Sequence, residues 1–171
     1  LLYLIYFGLT IIQIILLICG RMPVFDAITT SFGTAGTGGF GIKNDSIAGY
    51  SLYIKWVVTI FMILFGVNFN AYYLILYKKF KSAFAMEEVK AYLIIIIVSV
   101  VCIFFNILKM STSAVNAITD SAFQVASIIT TTGFSTTDFN LWPEASKTIL
   151  VILMFIGACA GSTGGGMKVS R

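Results

Sequence analysis

The sequence contains no histidine and very few charged side chains. Without histidine, the chain has neither an imidazole ligand for a metal ion nor an imidazole general base. Asp, Glu, Lys and Arg make up 11% of the 171 residues, whereas a soluble domain usually carries about 25%. So few charges cannot cover the surface of a water-soluble globule, and 58% hydrophobic residues exclude a disordered chain. The composition therefore excludes a soluble enzyme and indicates an integral membrane protein.

Cysteine and basic residues are too few and too scattered to indicate a disulfide scaffold or a nucleic-acid-binding protein. Cys19, Cys102 and Cys159 are odd in number and widely spaced, which argues against a secreted disulfide scaffold and favours small buried side chains. The net charge is +4, but the Lys and Arg residues form no basic and aromatic surface on which bases could stack. We therefore expect no nucleic-acid partner.

Four apolar stretches predict membrane-spanning helices: Leu1–Cys19, Leu52–Tyr77, Tyr92–Leu108 and Thr148–Ala160. A hydrocarbon core about 30 Å thick needs about 20 helical residues at about 1.5 Å per residue, and the first three stretches approach or exceed that length. The fourth covers only about half a span before the glycines begin at Gly161. Because the chain begins inside an apolar run and ends directly after a glycine cluster, we expect a fragment of a longer protein.

The distribution of lysines predicts how these spans are oriented. Cytoplasmic loops of membrane proteins carry an excess of Lys and Arg. The loop 78–90 is the only basic-rich loop between the predicted spans, and it should therefore face the cytoplasm. The segments 20–51 and 109–147 should then face the outside. The lysines of the loop are Lys78, Lys79, Lys81 and Lys90.

The two outer segments share one plan. Each begins with a short run of helical character and continues into a Thr/Gly cluster followed by Phe. Aligning Gly39 with Gly133 also aligns Asp26 with Asp120, which defines an internal repeat with an offset of 94 residues. We therefore predict two pore repeats, 1–77 and 91–171, on either side of the cytoplasmic loop 78–90. The short helical runs are Pro23–Ala35 and Ser113–Ile129.

A short helix followed by a Thr/Gly loop between two spans is typical of a re-entrant pore loop. Non-helical backbone at membrane depth must have its polar groups satisfied, and a dehydrated cation can satisfy the carbonyls of such a loop. Glycine reaches positive φ, and the C-terminal end of the short helix directs partial negative charge toward the loop. A plain turn is the alternative for either loop by itself, but two copies at matched positions favour a filter for a hard cation. The candidate ion ligands are Thr37, Gly38, Gly39, Thr131, Thr132 and Gly133.

A further glycine cluster interrupts the fourth apolar stretch. Each glycine costs a helix about 1 kcal/mol relative to alanine, so the helix should break here. Helices that break near the middle of the membrane frequently carry ion sites or gates in transporters. We therefore expect a gate loop, with a flexible helix end as the alternative. Its residues are Gly161, Ser162, Thr163, Gly164, Gly165 and Gly166.

Four motifs carry a resemblance to a known family. They are TGGF at 37–40, GVNFNAYY at 66–73, TTTGFSTTDF at 130–139 and GACAGSTGGGMK at 157–168. Through them the sequence resembles the Trk/Ktr/HKT superfamily of potassium transporters, and most closely the bacterial Trk potassium-uptake membrane subunits. The resemblance implies an all-α integral membrane fold of potassium-channel-like architecture, with four helix–pore loop–helix repeats around the ion path. Residues 1–77 would form the second repeat and residues 91–171 a truncated third repeat.

The same resemblance implies a function and a set of partners. Gly39 and Gly133 fall on the filter glycines of the family, and 161–166 falls on its gating loop inside the membrane. The expected function is uptake of K+, the transported ion, across the cell inner (plasma) membrane, with no organic cofactor in this chain. The expected partners are a second copy of the protein in a homodimer, the membrane lipid and a cytoplasmic nucleotide-binding (NAD or ATP) regulatory subunit.

The residues leave one alternative function open, namely symport of potassium with sodium or protons. The predicted spans contain no carboxylate, which weakens the case for proton coupling in this part of the protein. A membrane enzyme is not expected, because the chain has no histidine, no nucleophile–base pair and no pair of carboxylates within a span.

Two further pairs of polar residues have predicted roles. Asn68 and Asn70 lie in the middle of a predicted span, where they should either bond neighbouring helices or line the ion path. Asp26 and Asp120 lie at or before the short helices, and we expect them to cap those helices. A negative potential at the outer mouth is the alternative role for the two aspartates.

Overall fold

A computed structural model describes residues 2–79, 83 and 86–170, so that Lys81 of the predicted cytoplasmic loop lies outside the described residues. All regular structure in this described part of the chain is helical. In chain order the helices are α1 Leu2–Cys19, α2 Val24–Ala35, α3 Leu52–Gly66, α4 Phe69–Leu76, α5 Glu87–Ile107, α6 Ala114–Ile129, a short 3-10 helix at Phe139–Leu141, and α7 Glu144–Ile156.

Two of the helices, α1 and α5, are long and apolar enough to cross a membrane as single helices. The predicted span Leu52–Tyr77 is long and apolar enough to cross a membrane, but as a bent pair of helices and not as the single continuous helix that we expected. It divides into α3 and α4, whose axes differ by 91°. The backbone is extended at Val67, and the side chain of Asn68 accepts a hydrogen bond from the backbone N–H of Asn70, so that Asn68 caps a new helix.

The last predicted span ends before its glycine cluster begins. Helix α7 ends at Ile156, and the next residue, Gly157, has a φ of +70°. A Cβ atom at Gly157 would lie 2.7 Å from the carbonyl oxygen of Gly165. The chain therefore turns back directly against the end of α7, and only glycine fits this turn. We call residues 157–166 the glycine loop.

Helix α1 shows the pattern of burial that is expected in a membrane. Its buried residues include two polar ones, Thr10 and Gln13, and its exposed face is apolar, with Phe7, Ile11 and Ile15. The amide of Gln13 donates a hydrogen bond to the hydroxyl of Thr34 on α2, 3.0 Å away. Polar groups therefore face the protein interior, while apolar side chains face outward, as lipid or other membrane helices require.

Two apolar cores hold the short helices in place. One core joins α1, α2 and α3 and includes Phe65, Phe123 and Phe134. The other joins α5, α6 and α7 and includes the fully buried Tyr92. Helix α6 contributes to both cores, and 11 of its 16 residues are buried. The loop that follows α6 therefore leaves a rigidly packed helix end.

Candidate functional site

The two Thr/Gly loops have the same backbone conformation. Each loop places a threonine and then a glycine at positive φ, 51° at Thr37 and 66° at Gly39 in the first, and 57° at Thr131 and 93° at Gly133 in the second. Such angles are uncommon for threonine, a β-branched residue. Their recurrence at the 94-residue offset shows that the sequence repeat is a repeat of backbone structure.

The backbone hydrogen bonds of the loops repeat in the same way. The N–H of Gly38 donates to the carbonyl of Gly33 at 2.8 Å, and the N–H of Thr132 donates to the carbonyl of Ser127 at 2.9 Å. Both bonds close the turn that ends a short helix. The chain therefore leaves α2 and α6 along equivalent paths, with the carbonyl ends of both helices directed toward the loops.

The two loops touch each other at their glycines. A Cβ atom added to Gly39 would collide with the carbonyl oxygen of Thr132 and lie 2.9 Å from the Cα atom of Gly133. Gly39 is therefore required both by its positive φ and by the close approach of the second loop. Gly133 is in a more open position, because the nearest atom to its added Cβ would be the Cα of Gly39, 3.9 Å away. The predicted filter residues of the two repeats are thus brought together.

Side chains hold the second loop in its conformation. The hydroxyl of Ser127 donates to the carbonyl of Phe134 at 2.5 Å, and the hydroxyls of Thr130 and Thr132 lie 2.8 Å apart. Thr132 is buried. Its hydroxyl is engaged with Thr130, so that the backbone carbonyl is the oxygen that Thr132 presents to the first loop.

The two aspartates of the repeat do not cap the short helices, and this prediction is wrong. Helix α6 is capped by Ser113, whose hydroxyl accepts a hydrogen bond from the N–H of Asn116, and Pro23 precedes α2 without a side-chain cap. Asp26 instead accepts a hydrogen bond from the hydroxyl of Tyr50 at 2.6 Å, and Asp120 accepts one from the hydroxyl of Thr136 at 2.9 Å. Each aspartate therefore ties a short helix to the chain that follows its Thr/Gly loop.

The glycine loop contacts both Thr/Gly loops. The N–H of Gly165 donates to the hydroxyl of Thr131 at 2.7 Å, and the hydroxyl of Thr37 donates to the carbonyl of Thr163 at 3.5 Å. The amine of Lys168 donates to the carbonyl of Gly164. The predicted gate residues therefore lie directly against the predicted filter, on the side of Thr37 and Thr131, the two threonines with positive φ.

The predictions from sequence missed the second partner of the glycine loop. This partner is the break between α3 and α4, residues 65–69, which we call the helix break. The carboxylate of Glu88, in the first turn of α5, contacts both segments. Two signals in the sequence could have located the break, because Gly66 and Asn68 interrupt an otherwise apolar run. No comparable signal in the sequence pointed to Glu88.

The geometry defines a class of protein, namely a helical membrane protein in which paired helix–pore loop–helix repeats bring two glycine-containing loops into contact. A family model described as "TrkH: Cation transport protein" matches residues 1–171. The chain belongs to this family of cation transport proteins. The predicted family and the predicted all-α membrane fold with pore-loop repeats are therefore confirmed.

Individual relatives are similar over nearly the whole chain. The Trk system potassium uptake protein TrkH of Salmonella typhimurium is 36% identical over 99% of this chain. The protein of the same name from Escherichia coli K12 is 35% identical, also over 99% of the chain. The crystal structure of the potassium transporter TrkH from Vibrio parahaemolyticus superposes with a TM-score of 0.94 at 35% identity, over 99% of this chain and 38% of that one. The chain spans about 36% of the length of the two curated relatives.

Proposed function

We propose that this chain forms part of the conduction path of a potassium uptake protein. The observation that carries the proposal is the contact between the Thr/Gly loops, whose glycines meet at matched positive φ and whose threonines touch the glycine loop. The names of the relatives, which are potassium uptake proteins, support K+ as the transported ion.

The proposed filter consists of Thr37, Gly38, Gly39, Thr131, Thr132 and Gly133, with K+ as its substrate. Backbone carbonyl oxygens replace the water that the ion loses on entry. The carbonyl ends of α2 and α6 add partial negative charge on the same side as the loops. Ser127 and Thr130 stabilise the second loop, so that the oxygens need little rearrangement when the ion arrives.

The proposed gate is the loop of Gly161, Ser162, Thr163, Gly164, Gly165 and Gly166. In the structure this segment is hydrogen-bonded to Thr37 and Thr131 at one end of the filter. A loop in this position obstructs the path of an ion that leaves the filter, and it must move for the ion to pass.

Substitution of a filter glycine tests the proposed filter. Gly133→Ser in the full-length protein should reduce the preference for rubidium or potassium over sodium about tenfold or more. A side chain at φ +93° forces the loop to rearrange, although the position itself has room. The measurement is cation flux into liposomes. Gly8→Ala, on α1 with no atom within 4 Å of the added Cβ, is the matched control. Unchanged selectivity in the Gly133→Ser variant would refute the filter.

The same flux measurement separates conduction from symport, the alternative function. Conduction requires only a potassium gradient, whereas symport requires potassium entry to depend on a sodium or proton gradient. Potassium entry that stops when both of those gradients are removed would favour the symporter.

We also propose the setting of the complete protein. It lies in the cell inner (plasma) membrane as a homodimer, with the loop 78–90 in the cytoplasm, and it works with a cytoplasmic nucleotide-binding (NAD or ATP) regulatory subunit. The names of the relatives support such an assembly, because they refer to a Trk system. Copurification of the full-length protein with a nucleotide-binding subunit tests this arrangement.

A further inference from the structure

We propose that Glu88 is a positioning residue that clamps the glycine loop (157–166) to the helix break (65–69), so that the two segments move as one gating unit. The inference rests on the proposed gating role of the glycine loop. It adds to that role a second moving segment, from the first repeat, and the side chain that joins the two.

The first observation is that backbone groups of each segment form hydrogen bonds with backbone groups of the other. The N–H of Cys159 donates to the carbonyl of Gly66 at 3.1 Å, and the N–H of Thr163 donates to the carbonyl of Phe65 at 3.4 Å. In the opposite direction, the N–H of Phe69 donates to the carbonyl of Gly161 at 3.1 Å. Where a helix breaks, such backbone groups have no partner within the helix, and in a membrane they must be satisfied by another part of the protein.

The second observation is the position of the Glu88 carboxylate. One oxygen, Oε1, accepts a hydrogen bond from the N–H of Ala160 at 2.5 Å, and the other, Oε2, accepts one from the side-chain amide of Asn68 at 3.1 Å. The amide oxygen of Asn68 in turn accepts from the N–H of Asn70. One carboxylate therefore joins α5, the start of α4 and the glycine loop by hydrogen bonds that its charge strengthens.

The third observation is that the carbonyls just before the helix break have partners outside the glycine loop. The hydroxyl of Tyr72 donates to the carbonyl of Leu64 at 2.7 Å, and the hydroxyl of Tyr92 donates to the carbonyl of Ile63 at 3.2 Å. These two hydrogen bonds do not involve the glycine loop. The backbone groups of Phe65, Gly66 and Phe69, in contrast, have their partners in the loop. If the loop leaves its position, these three groups lose their partners, which favours a rearrangement of the helix break together with the loop.

Exchange of the two side chains tests the clamp. In Glu88→Gln, one acceptor oxygen becomes an NH2 group, so that the new side chain can satisfy only one of the two partners. In Asn68→Asp, two carboxylates face each other. The double variant Asn68→Asp/Glu88→Gln restores both contacts, because the new carboxylate at position 68 accepts from the new amide at position 88. The oxygen of that amide still accepts from the N–H of Ala160. Glu87→Gln is the matched control, since Glu87 is the exposed neighbour on the same turn.

The first readout does not depend on ion transport. Cys159 is adjacent to Ala160 and has 0% exposure, so its reaction with a maleimide reports release of the loop. In the full-length protein with Cys159 as its only cysteine, each single variant should react roughly tenfold faster, as expected for loss of one charge-assisted hydrogen bond. The double variant and Glu87→Gln should react at the parental rate. Equal rates in Glu88→Gln and Glu87→Gln, or a double variant no slower than the singles, would overturn the clamp.

The second readout is the rate and selectivity of rubidium flux in liposomes. The single variants should raise the rate roughly tenfold with unchanged preference over sodium, and the double variant should return it to the parental value. A change in selectivity instead of rate would place Glu88 at the filter and overturn the clamp. If the clamp governs the labelling of Cys159 but not the flux, the clamp stands and the gating role of the glycine loop fails.

Discussion

The two glycines of the proposed filter show how the same residue type meets different demands at equivalent positions. Gly39 is packed tightly against the carbonyl of Thr132, whereas a Cβ atom added to Gly133 would have no atom closer than the Cα of Gly39, 3.9 Å away. Both have positive φ, which disfavours any side chain. At position 39 the constraint is therefore steric as well as conformational, and at position 133 it is conformational alone. This is why Gly133 is the better site for a substitution that should alter the proposed filter without unfolding the protein.

Tyr50 is another residue whose role follows from its immediate neighbours. Partial burial raises its pKa to about 12, and the hydrogen bond to Asp26 and the negative charges of Asp26 and Asp45 act in the same direction. In an unfolded chain a tyrosine titrates near pH 10. The protonated hydroxyl therefore stabilises the fold fully below about pH 10, and this contribution is lost as the pH rises through about 12.

The variant Tyr50→Phe tests this pH dependence. Between about pH 10 and about pH 12, the melting temperature of the parent protein in detergent should fall more steeply than that of the variant. The two proteins differ only at position 50, so the difference between the two curves is the relevant quantity. Parallel curves would show that the fold does not raise the pKa of Tyr50.

At the scale of the elements, the bend between α3 and α4 depends on a close approach at Gly66. A Cβ atom there would collide with the hydroxyl of Tyr92 on α5 and lie 2.8 Å from the methyl group of Thr130 at the end of α6. Glycine thus allows the last turn of α3 to lie against α5 and the end of α6. The bend places the helix break beside the glycine loop.

The variant Gly66→Ala should destabilise the full-length protein by about 1–3 kcal/mol, the usual cost of overpacking a core. Tyr92→Phe removes the oxygen that collides with the new methyl group, so the double variant should be less destabilised than the sum of the two single variants. Thermal unfolding in detergent measures these differences. Strict additivity would mean that the approach at Gly66 is not set by Tyr92.

At the scale of the whole molecule, the two repeats are joined on both sides of the Thr/Gly loops. On one side, the N–H of Ile47 donates to the carbonyl of Ser135 at 3.1 Å, and the N–H of Ser135 donates to the hydroxyl of Ser46 at 3.3 Å. On the other side, the helix break pairs with the glycine loop. The Thr/Gly loops are therefore held between two sets of contacts that cross from one repeat to the other.

Two single-cysteine variants, which replace one exposed lysine and one exposed aspartate, test the orientation in the membrane. Lys79→Cys lies in the basic loop and Asp138→Cys in the segment after the second Thr/Gly loop, and both parent residues are exposed. A membrane-impermeant maleimide should label Asp138→Cys in intact cells, and it should label Lys79→Cys only after the cells are permeabilised. The reverse pattern would invert the proposed topology.

Much of this architecture could be predicted from local sequence signals. The short helices α2 and α6 lie within one residue of the predicted runs, and the Thr/Gly loops share the predicted repeat down to their backbone angles. The caps were predicted less well, because Asp26 and Asp120 find better partners in Tyr50 and Thr136 than in their own helix ends.

The sequence by itself determined the membrane fold and the repeat, because apolar length, glycine positions and the 94-residue offset are properties of neighbouring residues or of simple alignment. The family followed from the resemblance carried by four short motifs. Only the tertiary structure decided that a predicted continuous span is bent by 91° and that its broken backbone is satisfied by a loop from the other repeat. It also decided that Glu88 joins the two. These partners are far apart in the chain, and nothing in the sequence near either one specifies which backbone groups will be left unpaired or what will reach them.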